Sequence, residues 1–142
     1  MTFPMQTAPG SYLMPRYEHA TVGDVMRHGV ITCTPETTLR TVARMMSSYH
    51  VHAVVVTEHD GEAWGLVSDF DVLRAADADT EELTAGEVSR SPAVKVAPSD
   101  SLAHAAALMK EYGTGHLVVS APNPIGVVST LDIAGALAWG EA

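Results

Sequence analysis

Two stretches carry residue types that can do chemistry at a fixed spacing. Gly65-Leu66-Val67-Ser68-Asp69-Phe70-Asp71-Val72 and Gly126-Val127-Val128-Ser129-Thr130-Leu131-Asp132-Ile133 read as one device written twice. In each, a glycine opens a short apolar run, a serine closes it, and an aspartate follows three residues after the serine. The run is strand-like and the residues after it are helix-like, so Ser and Asp fall where a strand ends and a helix begins. At such a junction a hydroxyl, a carboxylate and free backbone N–H groups can converge on one small polar ligand. The same Asp can instead cap the helix it opens, and each Ser is open to both phosphate contact and an N-cap role.

The elements that must position these junctions repeat as well. Thr21-Val22-Gly23-Asp24-Val25 and Thr84-Ala85-Gly86-Glu87-Val88 fit capping boxes that open short helical turns. Residues 30–35 and 93–98 read as brief extended segments ending at proline. Leu39, Val42, Ala43 and Met46, and likewise Leu102, Ala105, Ala106 and Met109, fall at i, i+3, i+4 and i+7, the spacing of an amphipathic helix. Residues 51–57 and 116–120 read as strands, each followed by a turn. The copies are offset by 63 residues up to that turn and by 61 after it, so the second loop is two residues shorter. Closing helices are predicted over residues 70–76 and 131–139.

The order strand, helix, strand, strand, helix, written twice, predicts an α/β domain with internal pseudo-symmetry. One copy alone would bury its apolar face poorly, and two copies facing each other bury it mutually. The domain organisation expected is a tail over residues 1–20, a first repeat over 21–77, a polar linker over 78–83 and a second repeat over 84–142. In the tail, Tyr12, Leu13 and Met14 either dock on the domain or on a partner chain, or belong to a mobile terminus.

Composition bounds the function classes. The chain has 142 residues, a net charge of −9 and only eight Lys and Arg, which argues against nucleic acid or an anionic membrane surface as a partner. No apolar run is long enough to span a bilayer, and no basic segment precedes an apolar one as in a signal peptide. The single cysteine, Cys33, excludes an internal disulfide and suits a cytoplasmic location, where it reads as core filler. His50 and His52 share one strand face but lack the third and fourth ligands a metal needs. No nucleophile elbow, no phosphate-cradling loop ending in Lys and no base beside a nucleophile is present, so an enzyme is not expected.

Taken together and in order, these motifs resemble the CBS domain pair, or Bateman module, over residues 21 to 139. The resemblance implies an α/β fold of two tandem repeats packed sheet to sheet about a pseudo-twofold axis, leaving two clefts. It implies a regulatory module whose clefts take an adenosine-containing ligand, namely AMP, ADP, ATP or S-adenosylmethionine, and no covalently bound cofactor. Asp71 and Asp132 would meet ribose hydroxyls, and Ser68 and Ser129 would face phosphate. Crossing of the clefts would group Ser129 and Asp132 with Thr32, Val51, His52 and Ala53. It would group Ser68 and Asp71 with Lys95, Thr114, Gly115 and His116.

The chain departs from the family pattern at several positions. The glycine before the base-facing strand is kept as Gly113 and replaced by His50, and Val55 and Val118 stand where proline is common. Arg74 follows Asp71 by one turn, where Gly135 follows Asp132. The resemblance further implies a homodimer through helix faces, for which Met45, Met46 and Met109 are candidates alongside a core role, and a regulated protein target of unknown identity. Leu137 and Trp139 are expected to bury against the tail or a symmetry mate. The alternative is a structural or protein-interaction module with empty clefts, its aspartates serving as caps.

Overall fold

A computed structural model describes residues 14–141. The first repeat contributes α1 (Val22–Val25), β1 (Arg27–His28), β2 (Thr32–Cys33), α2 (Leu39–Tyr49), β3 (Ala53–Thr57), β4 (Ala63–Ser68) and α3 (Asp69–Arg74). The second contributes α4 (Ala85–Val88), β5 (Lys95–Val96), α5 (Leu102–Tyr112), β6 (His116–Ser120), β7 (Pro124–Ser129) and α6 (Thr130–Trp139).

The long helices start and stop for local reasons. The Thr38 hydroxyl accepts from the Thr41 N–H at 3.2 Å, and the Ser101 hydroxyl accepts from the His104 N–H at 3.0 Å. Both helices end in a left-handed residue, His50 at φ 53° and Gly113 at φ 61°. Leu39, Val42 and Met46 of α2 are buried, as are Leu102, Ala105, Ala106 and Met109 of α5. Met46 and Met109 therefore belong to the cores of the first and second repeats, while Met45 packs half-buried beside Met46.

Each repeat builds a sheet in which a short strand runs parallel to a central strand and the hairpin partner runs antiparallel. The orders are β2-β3-β4 in the first and β1-β7-β6-β5 in the second. Val55 and Val118, both fully buried, share one apolar cluster with Ala53, Ala63 and Leu66, and this cluster joins the two sheets. The valines that stand where proline is common thus fill the space between the repeats. β-Branched residues with a free N–H suit central strands, where proline would remove a ladder bond.

The opening segments are exchanged between repeats, which the linear order did not predict. β1 lies in the sheet of the second repeat, antiparallel to β7, with Arg27 opposite Val127 and His28 opposite Gly126. On the other side Arg90, just after α4, exchanges both backbone hydrogen bonds with Leu66 of β4, at 2.9 and 3.0 Å. The capped turns cross in the same way: the Gly23 N–H donates to the Pro98 carbonyl at 2.8 Å, and the Gly86 N–H to the Pro35 carbonyl at 2.9 Å. Val22 is buried in the core of the second repeat and Ala85 in that of the first.

Tyr12 and Leu13 lie outside the described residues. Met14 packs against the core of the second repeat, and its carbonyl accepts from the Glu141 N–H at 2.8 Å. Tyr17 packs there too, so the segment read as tail is docked from Met14 onward. Leu137 and Trp139 are 66 % and 46 % exposed among the described residues, with Leu137 beside Arg16, Tyr17 and Glu18 at the surface. Among the described residues no helix is long and apolar enough to cross a membrane.

Candidate functional site

The two Ser-x-x-Asp junctions have the same local geometry. Ser68 is the N-cap of α3, and Asp71 Oδ2 accepts from the Ser68 N–H at 2.8 Å and from its hydroxyl at 3.0 Å. Ser129 is the N-cap of α6, and Asp132 Oδ2 accepts from the Ser129 N–H at 2.8 Å and its hydroxyl at 3.1 Å. The capping function is therefore real at both sites, and it consumes one carboxylate oxygen of each aspartate.

The second oxygens differ. Asp71 Oδ1 is paired with the Arg74 guanidinium, which also lies over the Phe70 ring at 5.3 Å. Asp132 Oδ1 has no hydrogen-bond partner among the described residues. Burial pushes the Asp132 carboxyl above its ordinary value of 3.8, against the lowering effect of the hydrogen bonds from Ser129 and the charge of Arg27.

Each junction opens onto a cleft. The larger, about 390 Å³, brings Ser129 and Asp132 together with Val51, His52 and Ala53, walled by Val30, Ile31 and Val127. The smaller, about 240 Å³, brings Ser68 and Asp71 together with Thr114, Gly115 and His116. Ten of the twelve sequence-predicted residues thus gather in two crossed groups. Thr32 and Lys95 do not line either cleft. Thr32 is exposed on β2, where the pleat turns its neighbour Ile31 to the cleft instead, and Lys95 Nζ is drawn to Glu62 at 3.1 Å.

Sequence reasoning missed two cations. Arg27 lines the larger cleft and Arg90 the smaller, each carried there by the exchanged segment that follows a capped turn. They are separated by the same 63 residues as the rest of the early repeat, a signal present in the sequence. With Arg74, three of the eight basic residues line the clefts, beside the carboxylates of Asp69, Asp71 and Asp132.

Asp69 and His116 line both clefts. Asp69 Oδ2 is 2.9 Å from His52 Nδ1. Burial works upward on Asp69, and the hydrogen bonds from His52 and the Phe70 N–H outweigh it, so its carboxyl lies below 3.8. Burial lowers His116 below 6.5 despite the nearby Asp69. A neutral imidazole at that wall suits contact with an aromatic base. His50 is the exposed C-cap of α2 and lines neither cleft, and since β3 starts only at Ala53 it shares no strand face with His52. Among the described residues no cluster of three His, Cys, Asp or Glu could hold a metal ion.

Two α/β repeats that exchange their opening segments and enclose two crossed clefts, each headed by a Ser-x-x-Asp junction, define a tandem-repeat module of known type. The CBS domain model matches this chain twice, over residues 22–78 and 85–138, and the chain belongs to the CBS domain family. The CBS domain protein PAE2072 from Pyrobaculum aerophilum, solved in complex with AMP, is 25% identical with a TM-score of 0.71, covering 83% of this chain and 98% of that one. The CBS domain pair of protein MJ0100, solved with 5′-methylthioadenosine and S-adenosyl-L-methionine, is 17% identical with a TM-score of 0.74, covering 81% and 93%; it shares the fold. A Methanocaldococcus jannaschii protein is 27% identical over 128 residues, which is 79% of this chain and 30% of that relative. The chain therefore spans less than a third of the length of that relative.

Proposed function

We propose that this chain is a regulatory module that binds an adenosine-containing ligand and passes its occupancy on through a change of conformation or assembly. The observation that carries the reading is Asp132: a half-buried carboxylate with an unbonded oxygen, at the mouth of an apolar-walled cleft with Arg27 beside it. A vicinal diol donates two hydrogen bonds to such a carboxylate, and charge-assisted bonds of this kind are the stronger ones. The apolar walls and His116 suit a purine, and one arginine suits a single phosphate. AMP bound to the 25% identical Pyrobaculum aerophilum protein supports the same ligand class.

The ligand is held and not turned over in this reading, and the output goes to a regulated protein or to the dimer. Exposed Phe70, Leu73, Leu131 and Leu137 on α3 and α6 supply the helix faces for a homodimer. The lone buried Cys33 fits a cytoplasmic setting. A ligand moves such an equilibrium only by its differential affinity for the two arrangements, typically about 1–3 kcal/mol.

The capping boxes at both junctions favour a second reading, an interaction module whose aspartates serve only the helices. Thermal unfolding of the full chain with AMP, ADP, ATP, NAD and S-adenosylmethionine, with and without Mg²⁺, separates the two. A ligand at 100 times its dissociation constant stabilises by about 2.7 kcal/mol, a shift of several degrees at this size. Unchanged melting with all of them leaves the interaction module.

A further inference from the structure

The two clefts are built from equivalent residues, yet one difference between them is chemical. Asp71 and Asp132 are 61 residues apart, and at the same offset Arg74 is matched by Gly135. In the smaller cleft both oxygens of Asp71 are engaged, Oδ2 by Ser68 and Oδ1 by Arg74. In the larger cleft the corresponding oxygen of Asp132 is left for a ligand.

We propose that Arg74 is a built-in latch: it occupies the ligand-binding carboxylate of the smaller cleft and makes the larger cleft the one high-affinity adenosine site of the chain. The inference rests on the adenosine reading above. Its physical basis is the burial of Asp71. That side chain is only 10 % exposed, although the Arg74 side chain is 60 % exposed, so displacing the guanidinium leaves a desolvated carboxylate short of one bond. The Phe70 ring under the guanidinium holds it in place. A ribose hydroxyl entering that cleft would have to displace a charged donor and replace it with a neutral one. In the larger cleft the hydroxyl meets an acceptor that has nothing to lose.

The sequence difference offers a reciprocal exchange. A side chain at position 135 meets no atom within 4 Å of its Cβ, so Gly135→Arg can be accommodated on α6, and it would place a guanidinium one turn after Asp132. Isothermal titration of the full chain with AMP, and in parallel with methylthioadenosine, reads the result. Expected are one site per chain in the wild type, a second site in Arg74→Ala with affinity raised about tenfold or more, and loss of the wild-type site in Gly135→Arg. The double variant should bind one equivalent, now sensitive to Asp71→Asn and not to Asp132→Asn. Arg74→Gln, which keeps the aliphatic stem, guards against a fold defect in Arg74→Ala, and circular dichroism checks each variant.

Two equivalent sites in the wild type would overturn the latch and leave the adenosine reading standing. Weaker binding in both Arg74 variants would also overturn it, because the guanidinium would then be a ligand contact. No binding of AMP, methylthioadenosine, ADP, ATP, NAD or S-adenosylmethionine to any variant overturns the adenosine reading, and the latch with it.

Discussion

The carbonyl oxygen of Arg90 lies 2.9 Å from where a Cβ on Gly65 would stand. The pseudo-equivalent pair is tighter still: a Cβ on Gly126 would run into the Arg27 carbonyl and the Met26 methyl. The glycine that opens each Gly-apolar-apolar-Ser-x-x-Asp unit is thus the place where the exchanged segment of the other repeat crosses the strand. That crossing is also what carries Arg27 and Arg90 to the clefts.

Gly126→Ala should therefore cost stability and ligand affinity together. Backbone atoms must shift to admit the methyl group, and overpacking of this kind costs about 1–3 kcal/mol. Chemical denaturation should show the loss, and AMP affinity should fall as Arg27 is displaced. A variant as stable and as tightly binding as the wild type would show that the crossing has room to spare.

His50→Gly should do the opposite. His50 is the one described non-glycine residue with positive φ, it is exposed, and Gly113 holds the equivalent cap. Left-handed backbone costs an L-residue about 1–2 kcal/mol, and glycine gives part of that back through its freer unfolded chain. A net gain of about 0.5–1 kcal/mol is expected, read as a rise of a few degrees in melting temperature.

The pH dependence of binding should report Asp132. Burial favours its acid form in the folded protein, so the contribution of this group to stability is greatest below 3.8 and declines as pH rises through its raised value. Binding runs the other way, because the diol needs the ionised carboxylate. Affinity for methylthioadenosine, which has no phosphate to titrate, should fall on acidification at a pH above 3.8, and Asp132→Asn should remove that step. The same acid limb in the asparagine variant would sink the assignment.

Cys33 should be inert. Burial pushes its thiol up to about 11, with a hydrogen bond from Thr37 opposing, so thiolate is scarce near neutrality. Alkylation of the native chain followed by mass spectrometry should show little modification at pH 8, and full modification in denaturant. Rapid native labelling would mean that the first core opens readily.

Local patterning already determined much of this protein. The helix spacing from Leu39 to Met46 and from Leu102 to Met109, the strand β6 and the serine-to-aspartate caps depend on residues within a few positions of one another. For such features sequence distance and spatial distance agree. The resemblance carried by those motifs placed Val51, His52 and Ala53 against Asp132, and Thr114, Gly115 and His116 against Asp71.

What only the tertiary structure decided depends on residues far apart in the chain. Segment exchange brought Arg27 beside Asp132 and explained Gly65 and Gly126, which in the linear order look only like the openings of apolar runs. The pleat of two short strands turned Ile31 inward and left Thr32 outside, and Glu62 drew Lys95 away. The pairing of Arg74 with Asp71, against an unbonded oxygen on Asp132, separated two junctions that share the same motif. Those outcomes depend on which backbone passes behind which, and on where a flexible charged side chain finds its partner. A pattern of residue types along one chain does not encode either in a local form.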